Sequence, residues 1–296
     1  VNWTAWDNVR VTQYTAETMD EAMINFAKDE MMFLAVEAEE LIASKIQASL
    51  AAGMEASAAA IEKVTTWAEA EALWNTFKAQ IEEAKASLEA YAALQEKLEQ
   101  GLKKILPEAK FIGEEGSHDE LSDDGYAFIV DPIDGTTNFV KDYHMSAISV
   151  ALLKGKEAVA GVVYNPYLDE IFSAIKGQGA FCNGKKMNVS SQPLSNALVL
   201  FGSSPYDKEL FTQTLEVLSD YFYQALDIRR SGSAALDLCN VAAGRAELFF
   251  ELQVSPWDFA AGKLLVEEAG GVVTTLDGKP LSFDSKTSIL AKNNVI

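Results

Sequence analysis

Three short acidic segments of this sequence have the composition of a metal site. They are Gly113-Glu114-Glu115, the run Asp131-Pro132-Ile133-Asp134-Gly135-Thr136-Thr137-Asn138, and Pro256-Trp257-Asp258. Carboxylate oxygens are the ligands that hard divalent cations prefer, and magnesium takes about six oxygens, usually from a few carboxylates, water and a phosphate. Aspartates that directly follow an apolar strand are also costly to bury without a cation. Together the three segments predict a magnesium site.

The middle segment places two carboxylates beside a row of backbone N–H groups. Asp131 and Asp134 are three residues apart, and Pro132 between them is expected to stop the preceding strand and turn the chain. Both carboxylates can then face one pair of cations, with the main-chain carbonyl of Ile133 as an extra ligand. The N–H groups that begin at Gly135 favour a phosphate. The pattern predicts two cations that share Asp131, hold the phosphate and activate a water molecule.

Each acidic segment also has a plainer interpretation when it is taken alone. A Glu114-Glu115 pair is most often solvated surface. Asp258 suits the N-cap of a helix. An Asp-Pro-x-Asp-Gly run can be a simple turn. The conjunction of the three segments favours the metal site over these separate structural roles.

The residues 131–138 and Trp257-Asp258 resemble the paired signature of the inositol monophosphatase family, within the lithium-sensitive, magnesium-dependent phosphatases. Four further segments look like those of bacterial members: residues 113–115, 177–184, 230–238 and 257–262. The resemblance covers residues 107–296 almost without gaps. It implies a layered α/β sugar-phosphatase fold with alternating α and β layers.

The resemblance also implies roles for individual residues. The implied magnesium ligands are Glu114, Asp131, the Ile133 carbonyl, Asp134 and Asp258. The implied catalytic residues are Glu114, Asp134 and Thr136, whose hydroxyl positions the attacking water. The implied substrate-binding residues are Gly135, Thr136, Ala234, Glu251 and Asp258. Gly135 and Thr136 would bind the phosphate, and the other three would approach the alcohol. Glu115 is expected to lie beside the site.

A magnesium-dependent hydrolysis of a phosphomonoester by metal-activated water is the expected reaction. Inositol monophosphate is the substrate we expect, within the wider class of small phosphorylated polyols and sugars, although nothing in the sequence fixes the alcohol. Fructose bisphosphate, NADP and adenosine bisphosphate remain open as alternatives. Two magnesium positions are expected and a third is in doubt. The resemblance further implies lithium sensitivity and a homodimer.

One family segment is missing from this chain. Family members carry Asp-x-Val-Thr-x-x-Asp ahead of Gly-Glu-Glu, and its last aspartate orients the threonine that is Thr136 here. Residues 85–91 stand at the matching distance and contain no aspartate. The nearest echo, residues 62–68, lies well before that position and ends in Ala68. We expect reduced activity, and we keep as an alternative a non-catalytic or engineered phosphatase-fold protein whose helical third binds a partner.

The overall charge narrows the class of partner. A net charge of −20 repels phosphate backbones, so nucleic acid is not an expected partner.

No apolar run is long enough for a bilayer, and no basic segment precedes an apolar one as in a signal peptide. Cys182 and Cys239 are expected to be buried thiols rather than a disulfide. A cytoplasmic protein that does not bind membranes is the resulting expectation.

The elements that must position the acidic segments change in character near Pro107. No proline precedes Pro107, and Gly53 and Gly101 are the only glycines before it. We therefore predict long helices over residues 17–50 and 66–106, with a division at Gly53. The predicted organisation is a helical segment 1–106 that packs on the first sheet, a metal-binding α+β half 107–190 with an antiparallel sheet, and an α/β half 191–296 that completes the substrate site.

Short strands and helices are predicted after Pro107. The strands are expected at residues 126–130, 147–153, 158–164, 170–174, 246–250 and 271–275. The helices are expected at residues 233–243 and 259–269, each ending at a glycine that provides a left-handed C-cap. Glu251 is thereby placed at the end of an apolar strand.

Overall fold

The computed structural model describes residue 31, residues 48–114, residues 120–204 and residues 207–296. The chain divides into two compact units, Val1–Glu89 and Ala90–Ile296. Most of the helix predicted at residues 17–50 lies outside the described residues; Met31 is helical and buried.

In the first unit, the described residues are helical except for Val64, Thr65 and Thr66. Helix α1 spans Ala48–Ala60, and a 3-10 turn follows at Ile61–Lys63. The predicted division at Gly53 is wrong, because this glycine lies inside α1. The helix is rich in alanine, the best helix former, which outweighs the ~1 kcal/mol cost of one glycine.

Helix α2 spans Trp67–Ile105 without a break and crosses from the first unit into the second. Its start is a capping box: the backbone N–H of Glu69 donates to Thr66 Oγ1 at 3.3 Å, and the carboxylate of Glu69 accepts from the backbone N–H of Thr66 at 3.2 Å. The long helix predicted at residues 66–106 is therefore confirmed. The partial sequence echo at residues 62–68 is a turn and a helix start in this structure.

The first sheet of the second unit has seven strands, and their order in the sheet is the same as their order in the sequence. Its strands are β1 Lys110–Gly113, β2 Tyr126–Asp134, β3 Ala147–Lys154, β4 Glu157–Asn165, β5 Glu170–Ile175, β6 Gly179–Cys182 and β7 Lys185–Lys186. β1 is parallel to β2, and each later pair is antiparallel. Leu98, Leu102 and Leu106 pack on the cluster of buried side chains that includes Phe111 and Phe128. The antiparallel pairing predicted from the sequence is confirmed from β2 onward, and the parallel strand β1 makes the sheet mixed.

The second sheet has five strands in the order β11-β12-β10-β8-β9. They are β8 Leu198–Phe201, β9 Asp227–Arg229, β10 Leu248–Val254, β11 Val272–Thr274 and β12 Thr287–Lys292. β8 is parallel to β9 and β10, whereas β12 is antiparallel to β10 and β11. β10 runs past the predicted end at residue 250, so Glu251 lies within the strand and not at its end.

After β1, the described residues of this unit form four α-helices: α3 Thr136–Val140, α4 Phe211–Phe222, α5 Ala234–Ala242 and α6 Pro256–Glu268. α5 and α6 contact each other and strands of both sheets. α4 covers the other face of the second sheet, where Val217, Leu218 and Tyr221 pack on its buried core. The result is the alternating α and β layering expected from the resemblance. The predicted domain boundaries 106/107 and 190/191 stay a prediction.

The predicted ends of α5 and α6 agree with the structure. Gly244 and Gly270 follow the helices in left-handed conformation, with φ of 68° and 90°. Cys182 and Cys239 are both free thiols, half-buried and buried respectively. Within the described part of the chain, no helix combines the length and the apolar character that a membrane crossing requires.

Two helical glycines provide a stability prediction. A Cβ on Gly262 in α6 would lie 2.5 Å from Cδ1 of Leu238 in α5, whereas a Cβ on Gly101 in α2 would meet nothing within 4 Å. We expect Gly262→Ala to lower the free energy of unfolding by about 1–3 kcal/mol through overpacking. The matched variant Gly101→Ala should raise it by about 0.5–1 kcal/mol. Urea denaturation measures both, and equal stabilities for the two variants would show that α5 and α6 do not pack this closely.

Candidate active site

The carboxyl end of β2 carries the first two acidic residues of the site. The strand does not stop at Pro132 as predicted but continues to Asp134, with a bulge against β3 between Asp131 and Asp134. β1 ends opposite Val130, so Pro132 lies where β2 has a ladder partner on one side only. Proline has no backbone N–H to donate, and it is tolerated where one edge of a strand has no partner, so Pro132 does not interrupt the sheet. The β-bulge, and not the end of the strand, therefore orients the carboxylates of Asp131 and Asp134.

Three aspartate carboxylates converge at this point. Asp131, Asp134 and Asp258 each offer an oxygen, and these oxygens all lie within 4.8 Å of one another. Asp258 comes from the first turn of α6, far along the chain from the other two. Asp131 and Asp134 are buried, and Asp258 is half-buried. The convergence that the sequence predicts is thus present in the fold.

Hydrogen bonds from local backbone hold the three carboxylates in place. Asp131 Oδ1 accepts from the N–H of Ile133 at 2.9 Å. Asp258 Oδ2 accepts from the N–H of Ser255 at 2.7 Å. Ser255 is the N-cap of α6 and Asp258 stands at the third helical position, so the simple interpretation of Asp258 as an N-cap is wrong. The aspartate belongs to a capping box and still faces the other carboxylates.

The carboxylate of Asp134 is held by two hydrogen bonds from the start of α5. Its Oδ2 accepts from the hydroxyl of Ser233 and, at 2.9 Å, from the backbone N–H of Ala235. Ser233 is also the N-cap of α5, where its hydroxyl oxygen accepts from the N–H of Leu236 at 3.2 Å. The α5 N-terminus therefore orients Asp134. Ser233 received no role from the sequence, although a serine directly before a helical pattern is a recognisable cap signal.

Burial and mutual repulsion raise the pKa values of the three aspartates. Burial, then the charges of Glu114, Asp134 and Asp258, raise the pKa of Asp131 well above its usual range. Burial raises the pKa of Asp134 to about 7, against the opposing hydrogen bonds from Ser233 and Ala235. Burial, followed by the charge of Asp134, likewise raises the pKa of Asp258 well above its ordinary value.

Glu114 joins the cluster from the neighbouring strand. It follows β1, and its backbone N–H donates to the carbonyl of Val130 at 3.1 Å, beside Asp131. Its side chain contributes both charge and a hydrogen bond to the shift of the Asp131 pKa. Glu115, which was also expected near the site, lies outside the described residues.

The donor set fits a hard divalent cation. Four carboxylates from three separate segments lie close together, and burial together with the neighbouring charges raises the pKa values of Asp131, Asp134 and Asp258, so their ionised forms require neutralisation. A dication supplies that neutralisation, and carboxylate oxygens are its preferred ligands. The Ile133 carbonyl, the further expected ligand, accepts from the hydroxyl of Thr136 at 3.1 Å.

The start of α3, where the sequence predicts that a phosphate binds, lies next to these carboxylates. Gly135 has φ of 86°, and a Cβ there would lie 2.8 Å from the carbonyl oxygen of Met145. Only glycine is accommodated at this position without strain. The side-chain amide of Asn138 donates to the carbonyls of Met145 at 2.7 Å and Ser231 at 2.9 Å, so it ties α3 to the loop before α5. This structural role of Asn138 was not predicted.

The expected alcohol-binding residues lie beside the same cluster. Ala234 begins α5, directly after Ser233. Glu251 is buried, and its Oε1 accepts from the N–H of Ser204 at 2.8 Å. A Cβ on Gly202 would lie 1.9 Å from Glu251 Oε2, so the backbone after β8 approaches this carboxylate closely. The charge of Glu251 contributes to the pKa shifts of Asp134 and Asp258, which places it near both.

The raised pKa values predict a pH-dependent stability that magnesium should reverse. In the unfolded chain an aspartate releases its proton near its ordinary pKa of 3.8, whereas folded Asp134 holds it up to about 7. The free energy of unfolding of the metal-free protein should therefore fall as the pH rises from about 4 to about 7, by ~1.4 kcal/mol for each unit of pKa shift. Melting temperatures in EDTA and in magnesium chloride, from pH 5 to pH 8, test this.

A cation binds the deprotonated carboxylates, so the stabilisation by magnesium should grow over the same pH interval. The melting temperature in magnesium chloride minus that in EDTA isolates this contribution from that of every other titrating group. A difference that does not change with pH would contradict the coupling of the three aspartates to a cation.

Comparisons with known proteins agree with the geometry. The model of the inositol monophosphatase family matches residues 39–295. Inositol monophosphatase 2 of Solanum lycopersicum is 44% identical over 201 residues, which are 65% of this chain and 75% of that protein. Nus factor SuhB of Escherichia coli K12 is 42% identical over 179 residues, which are 60% of this chain and 67% of that protein.

A solved structure shows the same likeness in three dimensions. The staphylococcal enzyme SaIMPase-II with inositol monophosphate bound is 27% identical, with a TM-score of 0.63 over 71% of this chain and 80% of that chain. The motif resemblance begins at residue 107, whereas the family match begins at residue 39 and leaves residues 1–38 outside. The chain belongs to the inositol monophosphatase family.

Proposed function

We propose that this protein hydrolyses a phosphomonoester with magnesium as cofactor, and that inositol monophosphate is the preferred substrate. The observation that carries the proposal is the convergence of Asp131, Asp134 and Asp258 within 4.8 Å, beside the glycine turn at Gly135. The inositol monophosphate bound to the similar SaIMPase-II supports the choice of substrate. A net charge of −20 otherwise disfavours a phosphorylated substrate, which makes a local cation necessary.

The proposed magnesium ligands are Glu114, Asp131, the Ile133 carbonyl, Asp134 and Asp258. Bound magnesium would supply positive charge for the phosphate and Lewis acidity toward water. Two positions are proposed, with a weak or empty third. The hydrogen bonds from Ser255, Ile133, Ser233 and Ala235 fix the carboxylates before any cation arrives. Such preorganisation limits the cost of binding.

The remaining residues would bind and orient the reactants. Gly135 and Thr136 would donate backbone N–H groups to the phosphate at the start of α3. The Thr136 hydroxyl, which now contacts the Ile133 carbonyl, would orient the attacking water. Glu114 and Asp134 complete the proposed catalytic set. Water adds to phosphorus as the ester P–O bond breaks, and the products are the free alcohol and inorganic phosphate.

Phosphate release from inositol 1-phosphate, measured with magnesium chloride and with EDTA, tests the proposal. We expect turnover that requires magnesium and falls when lithium is added. Magnesium binding by calorimetry, measured in parallel, separates two failures. Binding without turnover of any phosphomonoester would favour the non-catalytic alternative in which the helical third binds a partner, whereas absence of binding would contradict the metal site itself.

Glu251 is proposed to select the alcohol part of the substrate and not to bind metal. Its carboxylate is fixed by Ser204, close to Asp134 and Asp258. We expect Glu251→Gln to raise KM for inositol 1-phosphate about tenfold, since a charge-assisted hydrogen bond contributes ~1.5 kcal/mol or more. KM for p-nitrophenyl phosphate, which offers no hydroxyls, should change little. Equal losses with both substrates would contradict a specificity role.

A further inference from the structure

The side-chain amide of Asn138 connects α3 to two loops. Asn138 lies in α3, two residues after Thr136. Its Nδ2 donates one hydrogen bond to the carbonyl of Met145 at 2.7 Å and another to the carbonyl of Ser231 at 2.9 Å. An asparagine Nδ2 carries two N–H donors, so both are in use. Asn138 therefore ties α3 both to the loop that follows it and to the loop before α5.

The main chain of Asn138 takes part in the same junction. Its carbonyl accepts from the N–H of Tyr143 at 2.8 Å, and its N–H donates to the carbonyl of Gly135 at 2.9 Å. The loop after α3 has left-handed backbone at Asp142 and His144, with φ of 51° and 59°. This conformation is uncommon for residues with a side chain, so surrounding contacts must hold it. Asn138 supplies such contacts from its main chain and from its side chain.

Two glycines allow the connected segments to approach this closely. Gly232 has φ of 86°, and a Cβ there would lie 3.0 Å from Nδ2 of Asn138. A Cβ on Gly135 would lie 3.2 Å from the carbonyl oxygen of Gly232 and 3.3 Å from Cβ of Ser233. The start of α3 therefore packs directly on the loop before α5, with no side chain between the two backbones.

The two sides of this junction differ in their own support. None of the five residues of α3 is buried, so this short helix has little packing of its own. The loop before α5 leads into a helix that is mostly buried, and the N–H of Ser233 donates to Ser231 Oγ at 3.1 Å within that loop. Ser233 and Ala235 also donate to Asp134. The loop before α5 is therefore the fixed side, and Asn138 holds α3 against it.

We propose that Asn138 is a positioning residue for the phosphate of the substrate. This inference rests on the proposed function, in which Gly135 and Thr136 hold that phosphate. A phosphate that binds this backbone and the metal carboxylates at once requires a fixed separation between them, and a displacement of about 1 Å can cost about 10²-fold in rate. Asn138 sets the separation, because it ties α3 to the loop that orients Asp134. It acts through these segments and not on the reacting atoms.

Calorimetry with inorganic phosphate and the magnesium-loaded protein tests the proposal without requiring turnover. Asn138→Leu keeps the approximate size of the side chain and removes both donors. We expect the dissociation constant of phosphate to rise about tenfold, since a smaller fraction of the protein then holds α3 in the binding conformation. The affinity for magnesium without phosphate should not change, because Ser233 and Ala235 still hold Asp134. Unchanged phosphate affinity, or an equal loss of magnesium affinity, overturns the proposal.

Two further variants separate positioning from a general loss of structure. Asn138→Ser keeps one donor, so its phosphate affinity should lie between those of the wild type and Asn138→Leu. Asn196→Ala is the matched control, because the exposed Asn196 donates from its amide to Gln192 Oε1 at 3.1 Å in the turn before β8. It should leave phosphate affinity unchanged. A lower melting temperature of Asn138→Ser in EDTA, with phosphate affinity like that of the wild type, would assign Asn138 a structural role alone and overturn the proposal.

Steady-state kinetics distinguish this role from the one proposed for Glu251. The phosphate is common to inositol 1-phosphate and p-nitrophenyl phosphate, so Asn138→Leu should lower kcat/KM by the same factor for both, about tenfold or more. Glu251→Gln should lower it for inositol 1-phosphate alone. A loss confined to inositol 1-phosphate in Asn138→Leu overturns the proposal.

Failure of this inference and failure of the proposed function give different results in the same calorimetry. Wild-type protein that binds no magnesium contradicts the proposed function, and the inference with it. Wild-type protein that binds magnesium and phosphate, with the same phosphate affinity in Asn138→Leu, overturns the inference alone and leaves the metal site in place.

Discussion

Asp131→Asn should reduce phosphate release from inositol 1-phosphate by about 10³-fold or more, because it removes the charge of a carboxylate that would hold magnesium. Asp131 is 2% exposed and is surrounded by Glu114, Asp134 and Asp258. Asparagine keeps the shape of the side chain and one acceptor for the Ile133 N–H but removes the charge. Loss of metal binding, and not of the fold, is the expected cause.

Stability measurements distinguish a loss of metal binding from a loss of the fold. In EDTA at pH 8, Asp131→Asn should be more stable than the wild type by about 1–3 kcal/mol, because repulsion among buried carboxylates is relieved. In magnesium chloride that order should reverse, since only the wild type gains binding free energy. Asp220→Asn on the exposed face of α4 is the control and should change neither curve. An unchanged magnesium titration in Asp131→Asn would be decisive evidence against the two-metal proposal.

Turnover by the unaltered protein should lie about 10²- to 10⁴-fold below that of a family member with the complete Asp-x-Val-Thr-x-x-Asp segment, because the group that orients Thr136 is missing. No aspartate occurs between Asp29 and Asp119. Only a glutamate such as Glu62, Glu69 or Glu89 could act instead. Glu69 is already engaged in capping α2 through Thr65 and Thr66. Parallel assays with a family member whose sequence contains that segment provide the comparison.

Ala68→Asp tests whether the echo at residues 62–68 is the missing segment. Ala68 is exposed in the first turn of α2, where an aspartate is compatible with the helix. We expect no gain in kcat, and Ala68→Asn controls for the change in size. A tenfold or larger gain in the aspartate variant alone would show that residues 62–68 occupy the family position. Turnover at the level of a family member that contains the complete segment, without any substitution, would show that another residue orients Thr136.

The local features of the site could be predicted from the sequence. The carboxylates at Glu114, Asp131, Asp134 and Asp258 each follow an apolar strand or open a helix, and these patterns depend on neighbouring residues alone. The glycines at 244 and 270 marked the ends of α5 and α6 for the same reason. Helix α2 was predictable because its apolar spacing and helix-forming composition are sustained over many turns.

Tertiary structure decided the features that depend on partners distant in the chain. Pro132 stays in β2 because β1 ends opposite Val130, and the register of two strands is not a local property. Glu251 lies inside β10 because that strand continues to pair with β12 as far as Val254, beyond the residues that pair with β8.

The sequence by itself determined which residue types could bind magnesium and which elements carry them. It also determined the absence of an aspartate from residues 30–118. The fold decided that Ser233 supports Asp134 and that burial and the charges of neighbouring carboxylates raise the pKa values of Asp131, Asp134 and Asp258. Backbone periodicity and turn chemistry act over a few residues, whereas electrostatic coupling and burial depend on distances that only the folded chain sets.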